Sequence, residues 1–267
     1  MKWQLYQKCN DESVDIIKDI TKLSNINVEG IFTHFATSDM KNKEYVYKQF
    51  KRYKQFIEKL GKKGVMIPIK HISNTGIILD SPELHQDMVR FGSMVYGTYS
   101  SYDIKTERVR LKDALSIRAE VAQVKEVEPG EGIGYDLTYI TKKRTKIATL
   151  PIGYADLAIR KLKNKGYVLI KGIKAPIVGS VCMDQLMVDV TGIDVKMGDV
   201  ATLIGEDAGN IISIKEVADL LGIDDYELII SIDKRLPKKY IKNGKVIKII
   251  DINVELSNLI WLRKVKL

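Results

Sequence analysis

Between residues 11 and about 97, short apolar runs alternate with a helical pattern. The apolar runs cover residues 28–35, 65–73 and 88–97. The helical pattern between the first two places apolar side chains on one face, at Val46, Phe50, Tyr53, Ile57 and Leu60. Gly61 is expected to end this helix. Strands that alternate with helices form parallel sheets, which need cover on both faces. Three strands could form a small sheet, but the pattern is more typical of the end of a larger (β/α) barrel.

From about residue 111, the sequence changes to short runs rich in Val and Ile, separated by Pro, Gly and Asp turns. These runs are LSIRAEVAQVKEV, RTKIATLPI, YVLIKGIKAPIVGSV, QLMVDVTG and DVATLIG, and they are typical of a β domain. A single helix is predicted to interrupt them, with a capping box at Ser213 and Glu216 and a stop at Gly222. The predicted organisation is an α/β part over residues 1–110, a mostly β domain over residues 111–250 and a tail over residues 251–267.

The composition is that of a soluble globular protein. With 267 residues, 45% of them hydrophobic and 29% charged, disordered, collagen-like and fibrous chains are excluded. The net charge of +9 comes from isolated lysines spread along the chain, so neither a nucleic-acid partner nor a membrane partner is indicated. Cys9 and Cys182 cannot build a disulfide framework or a four-cysteine zinc site, and three histidines leave little for a metal cluster. Because no apolar run has signal-peptide or membrane-span length, we expect a cytoplasmic protein.

Polar side chains lie at the carboxyl ends of the three predicted strands. They are Thr33, His34, His71, Ser73, Asn74, Thr75, Arg90 and Ser93, and Gly92 lies among them. In a (β/α) barrel this edge carries the catalytic residues. Residues 73–76, SNTG, occupy a strand-to-helix turn, where backbone N–H groups favour an anion, although the same residues also form ordinary turns. Each histidine, taken alone, is more typical of a satisfied core position, but their matching placement at two strand ends favours a functional site.

The β domain contributes three further polar segments. In GEGIGYDLTY, glycines flank Tyr135 on a flexible loop, and the spacing is not that of a dinucleotide-binding fingerprint. LPIGYADL carries Tyr154, and GSVCMDQLMVDV carries Met183 and Asp184. Taken singly, these residues are more typical of packing and turns than of ligand binding. Cys182, among apolar neighbours, is typical of an inert buried thiol.

Six of these motifs, in this order, resemble those of the alanine racemases. They are GIFTHFATSD, HISNTG, MVRFGSMVYG, GIGYDLTY, LPIGYAD and GSVCMDQLMVDV, and the resemblance runs from about residue 25 to about residue 250. The family consists of pyridoxal-phosphate enzymes that interconvert L- and D-alanine for cell-wall peptidoglycan. The resemblance implies the C-terminal part of a (β/α)8 TIM-like barrel followed by a mostly β C-terminal domain. It also implies pyridoxal 5'-phosphate as cofactor, an amino-acid substrate and a homodimer.

The resemblance implies a role for each matching residue. Tyr135 stands at the position of the catalytic tyrosine, which acts from one subunit on the barrel of its partner. Met183, with its neighbour Asp184, matches the substrate contact, and Tyr154 matches a residue of the substrate entrance. Arg90 matches the arginine that faces the pyridine nitrogen. The implied cofactor-binding residues are His34, His71, Asn74, Thr75, Arg90, Gly92 and Ser93.

Racemisation explains why such residue types are needed. A proton leaves one face of Cα and another returns to the opposite face, so two bases are required. A tyrosine, with a reference pKa of about 10, serves as a base when cationic neighbours favour its phenolate. His34 and Arg90 could extend such a network toward Tyr135. Since an arginine is a permanent donor, it would keep the pyridine nitrogen neutral and restrict side reactions.

The sequence departs from the family pattern in three places. It lacks a V-x-K-A-N-A-Y-G-H-G-like motif, whose lysine forms the Schiff base and serves as the second base, and a K-x-D-T-G-M-G-R-like segment. Lys234 occupies a position often held by a phosphate-contacting tyrosine. Three interpretations stay open. The chain is incomplete, inactive alone and binds the cofactor non-covalently at most; it is half of a split racemase completed by another chain; or it is a non-catalytic paralogue that dimerises or binds a ligand.

Overall fold

The structure, a computed structural model, describes residues 8–99, 101–104 and 107–251. The predicted tail therefore lies outside the described residues, apart from Asp251. The chain divides into two compact units, Met1–Ala114 and Leu115–Leu267. None of the helices in the described ranges combines the length and the apolarity that a membrane crossing requires.

The first unit is built from helices around a short parallel sheet. Its elements are α1 (Asp11–Thr21), β1 (Gly30–Phe32), α2 (Glu44–Lys62), β2 (Ile69–His71) and α3 (Thr75–Asp80). Strands β1 and β2 run parallel, with Gly30 opposite Ile69 and Phe32 opposite His71. Their carboxyl ends therefore meet at one edge.

The prediction of a third strand over residues 88–97 is wrong for most of its length. It is reduced to one parallel bridge, between Ser73 and Val89, and a 3-10 turn follows at Ser93–Tyr96. Gly97 ends this turn at φ 89°, a left-handed conformation that suits glycine. A side chain at this position would collide with the backbone of Lys112. The chain therefore turns away from the sheet where the apolar pattern suggested that it continues.

Helix α2 packs the predicted apolar face against the first unit's core. Val46, Tyr53 and Leu60 are buried on this face, as the spacing predicted. The prediction that Gly61 ends the helix is wrong, because α2 continues to Lys62 and Gly64 adopts φ 77°. There the N–H of Gly64 donates to the carbonyl of Gly61 at 2.9 Å, and the Val65 N–H donates to the carbonyl of Leu60 at 3.0 Å. This is a Schellman motif, which requires a left-handed residue one position beyond the helix cap.

The second unit is mostly β. Its strands are β3 (Ile117–Glu120), β4 (Gln123–Val127), β5 (Gly132–Ile133), β6 (Tyr139–Ile140), β7 (Thr145–Leu150), β8 (Tyr167–Ile170), β9 (Ile173–Val178), β10 (Leu186–Asp189), β11 (Val200–Asp207), β12 (Asn210–Ile212), β13 (Lys238–Lys242) and β14 (Lys245–Ile250). Eight of them form one antiparallel sheet in the order β12-β11-β8-β9-β10-β7-β4, with β3 also paired to β11. The pairs β5–β6 and β13–β14 form separate hairpins. Leu150, Ile170 and Leu186 lie in the core that this sheet covers.

Two helices, α4 (Ile214–Leu221) and α5 (Asp225–Ile230), accompany the sheet. Half of the predicted capping box forms at α4, where the Ser213 hydroxyl accepts the N–H of Glu216 at 3.1 Å. The Glu216 carboxylate instead accepts the hydroxyl of Tyr167 at 2.7 Å. Gly222 ends α4 at φ 68°, as predicted. The prediction of a single helix is wrong, because α5 follows after three residues and is too short to show helical periodicity.

Candidate functional site

Arg90 is held at the carboxyl ends of β1 and β2 by four polar contacts. Its Nη1 donates to the carbonyl oxygen of His71 at 2.9 Å and lies 2.7 Å from the Nδ1 of that residue. Its Nη2 donates to the carbonyl oxygen of Thr33 at 3.1 Å and lies 3.3 Å from Nδ1 of His34. The backbone N–H of Arg90 also donates to the carbonyl of Ser73 at 2.9 Å. The side chain and the backbone of Arg90 are therefore both fixed to the ends of neighbouring strands.

An aromatic ring supports this arginine from one side. The Phe32 ring stacks on the His71 ring, with 5.1 Å between the centroids, and Arg90 Cζ lies 5.2 Å from the centroid of Phe32. A cation over an aromatic face is favourable. Phe32 was not predicted as a site residue, because an apolar residue inside a strand looks like any other core residue.

The surroundings of the two histidines in this cluster favour the neutral form of each imidazole. Burial lowers the pKa of His34 and of His71, and the positive charge of Arg90 lowers both further. Because an arginine can only donate, a histidine Nδ1 that is hydrogen-bonded to it must accept. Arg90 is therefore the cationic group of this cluster, and the imidazoles act as its neutral partners.

Asn74 fixes the turn from β2 into α3. Its Oδ1 accepts the N–H of Ile77 at 3.5 Å, which caps the helix. Its Nδ2 donates to the Ser38 hydroxyl at 2.7 Å and lies 3.4 Å from His34 Nε2. Asn74 therefore joins the segment after β1 to the segment after β2, at the edge where Arg90 lies.

The predicted phosphate-binding residues lie together beside this turn. The Thr75 hydroxyl oxygen accepts the N–H of Gly92 at 3.1 Å. The hydroxyl groups of Ser73 and Ser93 are buried and have no hydrogen-bond partner among the described residues. An orphaned buried hydroxyl costs free energy unless a ligand or a water satisfies it. The hydroxyl groups of Ser73, Thr75 and Ser93 thus form a set of donors suited to an anion.

Tyr135 lies in the hairpin turn between β5 and β6. Gly134, at φ 74°, and Asp136, at φ 59°, both have left-handed backbones on either side of it. The Tyr135 side chain is 71% exposed, and its carbonyl accepts the hydroxyl of Ser180 at 3.0 Å. The turn therefore presents the tyrosine outward while its backbone is tied to the segment that precedes Met183.

Tyr154 and Met183 lie on two loops that are hydrogen-bonded to each other. The Tyr154 N–H donates to the carbonyl of Cys182, and the Ala155 N–H donates to the carbonyl of Met183, both at 3.0 Å. The approach is so close that a side chain at Gly153 would collide with the Cys182 and Met183 carbonyls. The structure thus brings together two residues that the sequence analysis assigned to the substrate, although they are about 30 residues apart.

Arg235 connects the same two loops, and the sequence analysis missed it. Its Nε donates to Asp156 Oδ1 and its Nη2 donates to Asp184 Oδ1, each at 2.7 Å. The other oxygen of Asp156 accepts the N–H of Gly153 at 2.8 Å. The neighbouring Lys234 is exposed. In the sequence, Arg235 lies two residues before a proline in a Lys-rich segment. Nothing in this local pattern indicates that its side chain pairs with two distant carboxylates.

The predicted site residues fall into two groups. The first unit carries His34, His71, Asn74, Thr75, Arg90, Gly92 and Ser93. The second unit carries Tyr135, Tyr154, Met183 and Asp184. Within the described ranges, no three His, Cys, Asp or Glu side chains are grouped so that they could hold a metal ion. Cys182, expected to be buried, is half-buried, and this burial raises the pKa of its thiol.

Comparison with known proteins identifies the class of protein to which these two units belong. A family model described as alanine racemase, N-terminal domain, matches residues 8–100, and one described as alanine racemase, C-terminal domain, matches residues 114–240. An alanine racemase from Clostridium perfringens is 44% identical over 243 residues, which are 91% of this chain and 63% of the relative. An alanine racemase from Methanococcus maripaludis is 47% identical over 230 residues, which are 86% of this chain and 61% of the relative.

Solved structures share the fold. The alanine racemase of Clostridium difficile 630 in complex with cycloserine is 43% identical, with a TM-score of 0.87, over 91% of this chain and 64% of that one. The Bacillus anthracis alanine racemase with bound L-Ala-P is 38% identical, with a TM-score of 0.81, over 85% of this chain and 58% of that one. The fold class is thus the C-terminal part of a TIM-like barrel followed by a mostly β domain, as predicted. The chain belongs to the alanine racemase family, and it spans about 63% of the length of the curated relatives it matches.

Proposed function

We propose that this chain forms part of a pyridoxal-phosphate-dependent amino-acid racemase that interconverts L- and D-alanine. The observation that carries the proposal is the position of Arg90, whose guanidinium is hydrogen-bonded to Thr33 and His71 at the ends of two parallel strands. Cytoplasmic production of D-alanine for cell-wall peptidoglycan is the role that this activity would serve.

The residues present fit the cofactor. The buried hydroxyl of Ser93, which has no partner in the described structure, and the contact between Thr75 and Gly92 suit a phosphate group. Arg90 would hold the ring nitrogen of the cofactor, and as a permanent donor it would leave that nitrogen unprotonated. The cofactor, when bound, supplies an electron sink for the charge that develops on Cα of the amino acid.

The residues of the second unit would handle the substrate and one of the two protons. Tyr135 is proposed to take or return the Cα proton at its phenolic oxygen, toward the barrel of the partner subunit in a homodimer. Met183 and Asp184 would contact the amino acid, and Tyr154 would line its entrance. His34, His71 and Asn74 would keep Arg90 and the cofactor edge in place, since they contact one another at this edge.

The second base is proposed to come from a segment outside these 267 residues, on the same or on another polypeptide. The sequence holds no motif like V-x-K-A-N-A-Y-G-H-G, so the base that faces Tyr135 across the substrate is assigned to a segment that carries this lysine. Two bases on opposite faces are needed because the proton is removed from one side and returned to the other. We therefore expect the chain alone to bind the cofactor non-covalently and to racemise poorly.

Co-expression of the 267-residue chain with a polypeptide that carries the lysine motif tests the proposal. D-Alanine formed from L-alanine is measured by a coupled D-amino-acid oxidase assay, with L-serine as a second substrate. We expect D-alanine from the complex, and a loss of about 10²-fold or more in kcat for Tyr135→Phe, the range for a general base. The matched control is Tyr240→Phe, another exposed tyrosine of the same unit, which should keep its activity. A folded complex without racemisation and without cofactor absorbance would contradict the proposal.

A further inference from the structure

We propose that Arg235 is a positioning residue. It fixes the loop that carries Tyr154 relative to the loop that carries Met183, and thereby sets the affinity for the amino-acid substrate. This inference rests on the proposed function. Arg235 belongs to neither loop. It reaches a carboxylate on each, Asp156 two residues after Tyr154 and Asp184 directly after Met183, at 2.7 Å in both cases.

The Asp156 side of this bridge is built into the protein core. The Asp156 side chain is 6% exposed, and its two oxygens accept from Arg235 Nε and from the Gly153 N–H. A buried carboxylate is costly unless it is paired and hydrogen-bonded, so Asp156 depends on Arg235 for its charge partner. The Asp184 side chain is 65% exposed, so its direction is set by the arginine and not by packing.

The backbone around Arg235 is fixed to the same loop. The Arg235 N–H donates to a side-chain oxygen of Asp233 at 2.8 Å. The Asp233 N–H in turn donates to the carbonyl oxygen of Asp156 at 2.8 Å. The two carboxylates hold the guanidinium and raise the pKa of Arg235 above its ordinary value. The backbone of Arg235 is therefore fixed, and its guanidinium group determines where the Asp184 carboxylate and the adjacent Met183 lie.

An arginine is needed here because the two carboxylates belong to different loops. A guanidinium donates from Nε and from Nη2 in a rigid plane, so it fixes the relative position of both acceptors. A lysine carries the same charge as a compact donor on a flexible stem and cannot impose that geometry. Arg235→Lys should therefore keep the charge and lose the register of the two loops.

The experiment compares Arg235→Lys with Arg144→Lys. Arg144 is a matched control because it also pairs with two carboxylates of the second unit, those of Glu126 and Glu128, while all three side chains are more than half exposed. The first readout is the ¹³C-methyl NMR signal of Met183, assigned with Met183→Leu. This readout needs no turnover. The second readout is the KM and kcat for L-alanine of the complex formed with the lysine-bearing polypeptide.

Arg235→Lys is expected to shift the Met183 signal and to raise KM about 5- to 20-fold, the range for one lost charge-assisted hydrogen bond, with a smaller change in kcat. Arg144→Lys should change neither. A variant that merely folds less well would lose kcat in proportion to its folded fraction and keep its KM. Asp184→Asn, which removes only the negative charge of the exposed partner, should reproduce the same shift in a milder form.

An unchanged Met183 signal in both Arg235→Lys and Asp184→Asn would overturn the inference, as would a fall in kcat at constant KM. If no complex racemises alanine, the proposed function fails. The Met183 signal then still decides whether Arg235 sets the register of the two loops.

Discussion

At the scale of single residues, the candidate site depends on groups whose charge state is set by their neighbours. Arg90 donates to His71 and lies beside His34, so protonation of either imidazole would place a second positive charge next to the guanidinium. Burial and this charge together lower both histidine pKa values. All three residues were predicted from the sequence, but their mutual contacts, which lower the two histidine pKa values, are seen only in the tertiary structure.

The two histidines should titrate below their ordinary pKa of 6.5. We expect Arg90→Gln to raise both titration midpoints part of the way back, because burial, the larger cause, remains. Imidazole NMR titration measures this, and Arg52→Gln on the exposed face of α2 is the control. Equal midpoints with and without Arg90 would contradict the assignment.

The same shifts predict how stability depends on pH. The unfolded chain, with pKa values near 6.5, binds more protons than the folded chain as the pH falls through that value. The free energy of unfolding should therefore decrease between pH 7 and pH 5, and urea unfolding midpoints should show a shallower decrease for His71→Gln.

Gly153 is the residue on which the approach of the two substrate-side loops depends. A methyl group at this position would meet the carbonyl oxygens of Cys182 and Met183, which are fixed by hydrogen bonds. We expect Gly153→Ala to destabilise the protein by about 1–3 kcal/mol, the usual cost of overpacking. Urea unfolding measures it. A stability equal to that of the wild type would mean that the loops separate without cost.

At the scale of elements, caps and turns decide where each helix ends. The end of α2 was predicted at Gly61, yet the left-handed conformation belongs to Gly64. Both glycines follow the same apolar face in the sequence, and the choice between them depends on the buried contact of Val65 with the core that also holds Leu60. The local sequence contains two glycines that could end the helix, and packing of the core determines that Gly64 does so.

This choice predicts opposite effects for two glycine substitutions in one helix. Gly64→Ala forces a side chain into a left-handed backbone and should cost about 1–2 kcal/mol. Gly61→Ala lies in helical backbone with open space around it and should gain about 0.5–1 kcal/mol. Urea unfolding of the two variants tests this. Effects of the same sign would contradict the assignment of the Schellman glycine.

At the scale of the whole molecule, the two units have separate hydrophobic cores. Ile72 and Ile77 belong to a core of the first unit, and Leu150 and Leu186 belong to the core of the second. The change of sequence texture near residue 111 predicted a domain boundary in this part of the chain, and the two compact units divide between Ala114 and Leu115. The third strand was not anticipated correctly, since its pairing depends on where the chain turns after Val89.

Separate cores predict separate responses to core mutations. Ile72→Ala should raise amide hydrogen-exchange rates in α2 and leave those of β7 unchanged, and Leu186→Ala should do the reverse. Each substitution is expected to cost about 2–5 kcal/mol in its own unit, since both side chains are fully buried. Faster exchange in both units after either substitution would show that the cores are coupled.

The sequence by itself determined the type and order of most elements, the cap at Ser213 and the family, because these depend on neighbours within a few residues or on motif order. Only the tertiary structure decided what Arg90 and Arg235 contact. Arg90 bonds to a carbonyl 57 residues away, and Arg235 bonds to carboxylates 79 and 51 residues away. A hydrogen bond depends on distance and direction in space, which residue spacing along the chain does not specify.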